Sequence, residues 1–256
     1  MGSIADESSR TTAVILLHGM TSSPTEMLNL TEAITAAGFT AISPLLPGHD
    51  TSISEMKKVR LTQWKQCAEE AYLATERLNT EKIFVVGLSF GALLALFLAE
   101  NHNNKINGIV LLSPPYRLRS TPDDLALSAL SYLPEVALDI LPISEKRHRP
   151  EARFSQPRQA YDQHSIGASA RMMTLRREVL KSTANICCRT LILSDPDDHL
   201  VSSNSPKLLA EKLHSAKVEV KYFLGGLHEL NIGPFAADIT KEVLSFISGS
   251  GSKPSA

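Results

Sequence analysis

One serine, one histidine and a group of aspartates are spaced along this chain so that they could form an acyl-transfer centre. The serine lies in Gly87-Leu88-Ser89-Phe90-Gly91, directly after the apolar run Ile83, Phe84, Val85, Val86 and before the apolar stretch from Phe90 to Ala99. That order reads as strand, sharp turn, helix, the context in which such a pentapeptide carries a nucleophile. The flanking glycines leave room where a side chain would strike neighbouring backbone, and the turn lifts the hydroxyl off the sheet. A serine hydroxyl needs a base to become nucleophilic. His228, in Gly225-Gly226-Leu227-His228 after the strand-like Val218 to Phe223, is the candidate. The base in turn needs a carboxylate to fix its tautomer. Asp195, Asp197 and Asp198 follow the apolar run Thr190 to Leu193. Asp198 is the first choice, because Val201 would re-anchor the loop in apolar surroundings; Asp195 stays open as the alternative, and the remaining carboxylates are expected in solvent. For the oxyanion, the Phe90 amide opens a helix, and the loop His18-Gly19-Met20-Thr21 after the first strand offers the Met20 amide.

The elements that must carry these residues alternate. Ala13 to Leu17, Thr40 to Ser43, Ile83 to Val86, Ile109 to Leu112, Thr190 to Leu193 and Val218 to Phe223 read as strands. Met27, Leu30, Ile34 and Ala37 recur at helical spacing before Gly38, and Leu61, Trp64, Ala68, Ala71, Thr75 and Leu78 form one longer stripe. Leu208 to Leu213 and the segment near Phe235 to Ile247 read as further helices. Strands separated by helices imply a mainly parallel sheet of about six strands covered on both faces, with ligands at the carboxyl ends of the strands. From Pro114 to Ser182 no strand is evident, and helical runs such as Leu125 to Leu130 and Met172 to Leu180 alternate with prolines. The expected layout is therefore a flexible start at 1–12, a core at 13–114 and 183–248, a helical insertion at 115–182, and a Gly/Ser-rich flexible tail at 249–256.

Composition narrows the class. The 256 residues are 43% hydrophobic with a formal net charge of −1, enough for one sizeable core and without the basic excess that nucleic acid or an anionic membrane would recruit. The run Lys146, Arg147, His148, Arg149 is the local exception and reads as a solvated face. Cys67, Cys187 and Cys188 have no framework spacing, and adjacent cysteines rarely satisfy disulfide geometry, so a reducing compartment is expected. The start lacks an apolar signal segment and no run is long enough to span a bilayer, so the expectation is a soluble, cytoplasmic protein. No cluster has metal-ligand spacing, and no metal is expected. His102 and His214 read as exposed helix-end residues, and His164 falls in the insertion.

His18-Gly19-Met20-Thr21, Leu46-Pro47-Gly48-His49, the Ser89 pentapeptide, Asp198 with Val201, and Gly226-Leu227-His228 together resemble the α/β-hydrolase superfamily, and the first loop is similar to that of bacterial carboxylesterases and monoacylglycerol lipases. The resemblance implies the α/β-hydrolase fold, a helical cap over the site at 115–182, no cofactor, and a structural role for His49. Two positions depart from it. Met20 stands where those esterases have an aromatic residue, and Asp50 where glycine commonly follows the Pro-Gly-His loop. The cap residues Leu125, Leu127, Leu130, Leu133, Leu138, Leu141, Met172, Met173 and Leu175 could form an acyl-accepting lid or ordinary helix packing.

The expected activity is carboxylic ester hydrolysis through an acyl-enzyme on Ser89, Asp198 and His228, with the Met20 and Phe90 amides as oxyanion donors. The expected partner is a small acyl ester or thioester, with no nucleic acid and no stable membrane insertion. Acyl thioester hydrolysis on the same residues is one alternative, and carbon–carbon bond hydrolases and haloperoxidase-like members share the triad. Epoxide hydrolase and haloalkane dehalogenase chemistry is disfavoured by serine rather than aspartate at the turn. A hydrolase-fold receptor with little turnover is an alternative of another class.

Overall fold

The computed structural model describes residues 12–145, 160–213, 216–225 and 227–249. The basic run at 146–149, His214, Gly226, and nearly all of both terminal segments lie outside these residues. Six parallel strands form the main sheet: β1 (Thr12–Leu17), β2 (Thr40–Ile42), β3 (Lys82–Leu88), β4 (Ile106–Leu112), β7 (Arg189–Ser194) and β8 (Val218–Tyr222). Their order across the sheet is β2-β1-β3-β4-β7-β8. The chain first steps outward from β1 to β2, then returns to lay β3 on the other side of β1. The crevice between the carboxyl ends of β1 and β3 is therefore the point where strand order reverses, the place at which open parallel sheets bind ligands.

The strand sequences explain why the sheet is central. β1 is buried along its whole length, and β3 along all but its first residue. Alternate side chains go to opposite faces. Ile15, Leu17, Val85, Ile109 and Leu111 enter one apolar cluster, while Val14, Leu16, Phe84, Val86 and Val110 enter the other. Helices α3 (Leu61–Arg77), α4 (Phe90–Asn101) and α7 (Ile166–Ser182) cover the first face. Helices α1 (Leu28–Ala36) and α9 (Ala236–Ser248) cover the second. α4 is apolar nearly all round because it lies buried against the sheet directly behind Ser89. α3 is amphipathic: Trp64, Ala68, Ala71 and Thr75 are buried, and Gln63 Oε1 accepts the Arg60 N–H to cap its start. Its stripe ends one turn earlier than the spacing predicts, since Leu78 is the C-cap residue and exposed. Ala37 likewise caps α1 and faces solvent, one residue before Gly38 at φ +87°. α8 (Ser205–Lys212) connects β7 to β8 and packs against both.

Two short elements depart from the sequence reading. α2 (Ile53–Lys58) is only six residues long, started by Ser52, whose side chain accepts the Glu55 N–H. It is too short to show a periodic stripe. Between β4 and β7 the chain forms α5 (Thr121–Leu130), α6 (Glu135–Leu138) and α7, but also an antiparallel pair, β5 (Ile143–Glu145) with β6 (Gln163–Ser165). Three residues per strand, one of them Gln-His-Ser, give no alternation to read. α5 has no fully buried residue and leaves Leu125 exposed, whereas Leu138, Met173 and Leu175 are buried. The stretch between β4 and β7 is tied to α2 and to the start of α3 by a charged clamp. Arg171, 1% exposed, donates to Asp139 Oδ1 at 2.5 Å, to Glu135 Oε2 at 3.3 Å and to the Lys57 carbonyl at 3.0 Å, while Arg60 donates through both Nη atoms to the Asp139 carboxylate at 2.6 Å. This bidentate pairing holds Asp139 at a pKa of about 2, hydrogen bonding to Arg60 being the largest cause.

Candidate active site

Ser89 links β3 to α4 as the N-cap residue, at φ +52° and ψ −111°. A non-glycine residue in that region is strained, and here the neighbours enforce it. A Cβ on Gly87 would meet the Gly91 carbonyl oxygen at 2.2 Å, and one on Gly91 would meet the Leu17 carbonyl oxygen at 2.0 Å. The start of α4 thus presses against the ends of β3 and β1, and only glycine fits at either position. Phe90 is the first helical residue, so its N–H has no acceptor inside the helix, and the dipole of α4 points its positive end at Ser89.

His228 lies on the loop after β8. Its Nδ1 is 2.7 Å from Asp198 Oδ2. Asp198 is fully buried and His228 is 4% exposed. Burial alone would push the Asp198 carboxyl up; the facing His228 ring and the Val201 and Leu200 amides outweigh it and hold its pKa below the ordinary value. Those amides donate to Oδ1 at 2.9 and 2.7 Å, leaving Oδ2 for the histidine. With Nδ1–H donated to the carboxylate, Nε2 keeps its lone pair. Two hydrogen bonds bring the serine and histidine loops to the same strand end. Ser89 N–H donates to the Leu112 carbonyl at 2.8 Å, and the next residue, Ser113, donates its hydroxyl to the His228 carbonyl at 2.8 Å.

Asp195, the alternative to Asp198, does not bond the histidine ring, while Asp197 is exposed as expected. Asp195 is 1% exposed, and it accepts the Leu227 N–H at 2.8 Å and the Asp197 N–H at 2.8 Å. Leu227 adopts φ +67°, so the residue before the histidine is held in a left-handed turn by this carboxylate. His199 is exposed, with its ring 6.0 Å from that of His228.

The Met20 loop follows β1 and reaches the other side of the Ser89 turn. A trans peptide points its N–H opposite to its C=O, so whatever holds the Gly19 carbonyl aims the Met20 amide. Two donors hold it: His18 Nδ1 at 3.0 Å and the Ser22 amide at 3.3 Å. His18 Nε2 accepts the Leu46 N–H at 3.2 Å, which assigns the proton to Nδ1. His18 is fully buried, and burial lowers its pKa to about 3, so it stays neutral. His49 Nε2 lies 2.6 Å from the Met20 carbonyl, and the two imidazoles meet edge to face with centroids 4.7 Å apart. Burial also lowers the pKa of His49. Asp50 sits at φ +55°, which explains why glycine is common there and why aspartate, tolerant of the left-handed region, can replace it. Tyr161, from the segment after β4, is a residue the sequence reading missed. Its N–H donates to the Thr21 carbonyl at 2.8 Å and its hydroxyl donates to the Gly48 carbonyl at 2.8 Å. Nothing around Tyr161 in the sequence signals this, because the contact spans more than a hundred residues. His102 is also more than an exposed helix end: it stacks on Tyr72 at 3.6 Å and pairs with Glu69 at 2.6 Å, remote from Ser89 along α4.

Known proteins resemble this chain over most of its length. It is 26% identical over 217 residues to the thermostable monoacylglycerol lipase of Bacillus sp. (strain H-257), covering 84% of this chain and 82% of the relative. It is 20% identical over 235 residues to a carboxylesterase of Bacillus subtilis (strain 168), covering 92% of each. Among solved structures, one of two metagenome-derived lipolytic enzymes, LipS and LipT, superposes with a TM-score of 0.82 at 22% identity, covering 94% of this chain and 95% of that one. The α/β-hydrolase fold read from the sheet is shared with these structures. The family profile described as Hydrolase_4, serine aminopeptidase S33, matches residues 8–233, and the chain belongs to that family of α/β-hydrolases.

Proposed function

We propose that this protein is a carboxylic ester hydrolase that works through an acyl-enzyme on Ser89. The observation that carries this reading is the pairing of His228 with buried Asp198 at 2.7 Å beside the strained Ser89 turn. The names of the relatives, a monoacylglycerol lipase and a carboxylesterase, support an ester over other acyl donors.

Ser89 Oγ attacks the ester carbonyl carbon while His228 Nε2 takes its proton. The imidazolium that forms is stabilised by Asp198 through the Nδ1–H bond. Charge developing on the carbonyl oxygen is met by the Phe90 and Met20 amides, each such donor contributing about 3–4 kcal/mol to the barrier reduction. Collapse of the tetrahedral intermediate expels the alcohol, which takes the proton from His228. Water then attacks the acyl carbon as His228 takes its proton, and collapse of the second tetrahedral intermediate breaks the bond to Ser89 Oγ, which regains the proton from His228 as the acid leaves.

The segment at 115–182 serves as the cap, joined to the core through Arg171 and reaching the Met20 loop through Tyr161. Leu127 and Met172 of this segment pack on the core cluster, and the substrate we favour, a small or medium acyl ester of the monoacylglycerol type, is supported by the name of one relative. The three free thiols fit a reducing compartment, and no helix among the described residues is long and apolar enough to cross a membrane.

The test is a kinetic panel: p-nitrophenyl esters of increasing chain length and a 1-monoacylglycerol, against an acyl thioester and an aminoacyl anilide. The highest kcat/KM is expected on an ester. A thioester preferred over every ester would move the assignment to thioesterase, and an anilide preferred over both would make the protein a peptidase.

A further inference from the structure

The turn after the Met20 loop contains a carboxylate that the mechanism above does not use. Glu26 lies in the 3-10 turn Pro24–Met27 and has no exposed surface. Its Oε2 accepts the Gly19 N–H at 3.1 Å. Its main-chain carbonyl accepts Nδ2 of Asn231 at 2.5 Å, and Asn231, also fully buried, lies three residues beyond His228. One buried residue therefore touches the loop that carries the oxyanion amide and the loop that carries the general base.

The direction of the Met20 N–H depends on both dihedrals of Gly19, a residue without a side chain to restrict them. The peptide that ends at the Gly19 nitrogen is fixed by Glu26. The peptide that begins at the Gly19 carbonyl is fixed by His18 and Ser22. With both planes held, φ and ψ of Gly19 are set and the Met20 amide is aimed before substrate arrives. A carboxylate accepts more strongly than a neutral oxygen, but the geometric requirement is reach: four bonds from the Glu26 Cα to Oε2 span the turn. A Cβ on Gly19 would lie 3.1 Å from that same oxygen, so the carboxylate also defines how closely the loop is packed.

We propose that Glu26 is a positioning residue for the oxyanion amide of Met20, and that Asn231 locks its turn to the His228 loop so that the oxyanion site and the base are held by one buried unit. This rests on the ester-hydrolase reading. Reach rather than charge is the operative property. Glu26→Gln keeps an acceptor oxygen at the same distance and retains kcat within about threefold. Glu26→Asp keeps the carboxyl group but withdraws it by one methylene, and Glu26→Ala removes it. Both lower kcat by about tenfold to a hundredfold, the range for a displaced oxyanion donor, with KM changed by less than about twofold. Asn231→Ala shifts kcat in the same direction by a smaller factor.

The experiment measures kcat and KM on a p-nitrophenyl ester for the four variants. It also measures inhibition by a trifluoromethyl ketone, whose adduct with Ser89 places an oxyanion in the site, and by the corresponding amide, which does not. Affinity for the ketone should fall in parallel with kcat/KM while affinity for the amide stays constant. Loss of stability alone would move neither ratio when rates are taken per folded molecule. Wild-type kcat in Glu26→Asp and Asn231→Ala, damage in Glu26→Gln equal to that in Glu26→Ala, or lowered kcat with unchanged ketone affinity would each overturn the assignment while leaving the ester reading standing. An inert wild type would overturn both. Should Glu26→Ala fail to fold, the contrast between Glu26→Gln and Glu26→Asp still decides.

Discussion

The Asp195 carboxylate accepts the Leu227 N–H at 2.8 Å, tying the loop after β7 to the backbone one residue before His228. Two aspartates three residues apart thus divide the work on one histidine: Asp198 bonds the ring and Asp195 bonds the chain that carries it. The kinetic signatures should separate them. Asp198→Asn leaves the shape and loses the acceptor that sets the tautomer, and kcat falls by about 10³–10⁴-fold. Asp195→Ala frees Leu227 from its left-handed turn and lowers kcat by about tenfold to a hundredfold. Steady-state kinetics of both on one ester check this, and equal losses would contradict the division.

Acid should act on the loop below Met20. His18 has a folded pKa of about 3 against an unfolded value of 6.5, so between those values the unfolded chain binds the extra proton. Stability is therefore lost as pH falls through that window and is unaffected above it. Unfolding free energies measured from pH 7 to pH 4 should drop more steeply in the wild type than in His18→Asn, by up to one proton in the slope. Identical slopes would mean that His18 is protonated in the folded state.

The clamp around Arg171 is the attachment most exposed to a single substitution. Arg171→Met leaves Asp139 and Glu135 without their buried partner and two main-chain carbonyls without a donor. Those carboxylates are about one-third exposed, so the cost sits at the low end for a broken buried pair, about 3 kcal/mol in chemical denaturation. A loss under about 1 kcal/mol would class the clamp with ordinary surface pairs. Asp139 has a folded pKa of about 2, set first by Arg60 and then by Arg171, so the stability it contributes is full above 3.8 and fades as pH falls toward 2, and the gap between the wild type and Arg171→Met should narrow in acid by the part that Arg171 supplies.

Much of the fold is legible because burial is written into composition. Ala13 to Leu17 in β1 and Ile83 to Val86 in β3 are continuous apolar runs, each followed within two residues by glycine, and α4 is apolar nearly all round, as a helix buried on the sheet must be. The turn at Ser89 is marked by two glycines whose Cβ atoms would collide with backbone. The rest depends on long-range contact and leaves no local trace. Asp195 reads as an alternative partner for the His228 ring until Leu227 is placed beside it, and Tyr161 is an ordinary tyrosine until it meets Thr21 and Gly48. β5 and β6 are too short for a period to emerge, and the helical stripes of α1 and α3 stop one turn early because Ala37 and Leu78 serve as caps.

The most direct test is covalent. The protein and Ser89→Ala are treated with a fluorophosphonate, digested, and examined by mass spectrometry, with ester turnover measured in parallel. A single phosphonyl adduct on the peptide that carries Ser89, with loss of turnover in step with labelling and neither label nor turnover in Ser89→Ala, is the expected result. Turnover that survives in Ser89→Ala, or an adduct on another residue that accounts for the lost activity, would contradict the assignment of Ser89 as the nucleophile.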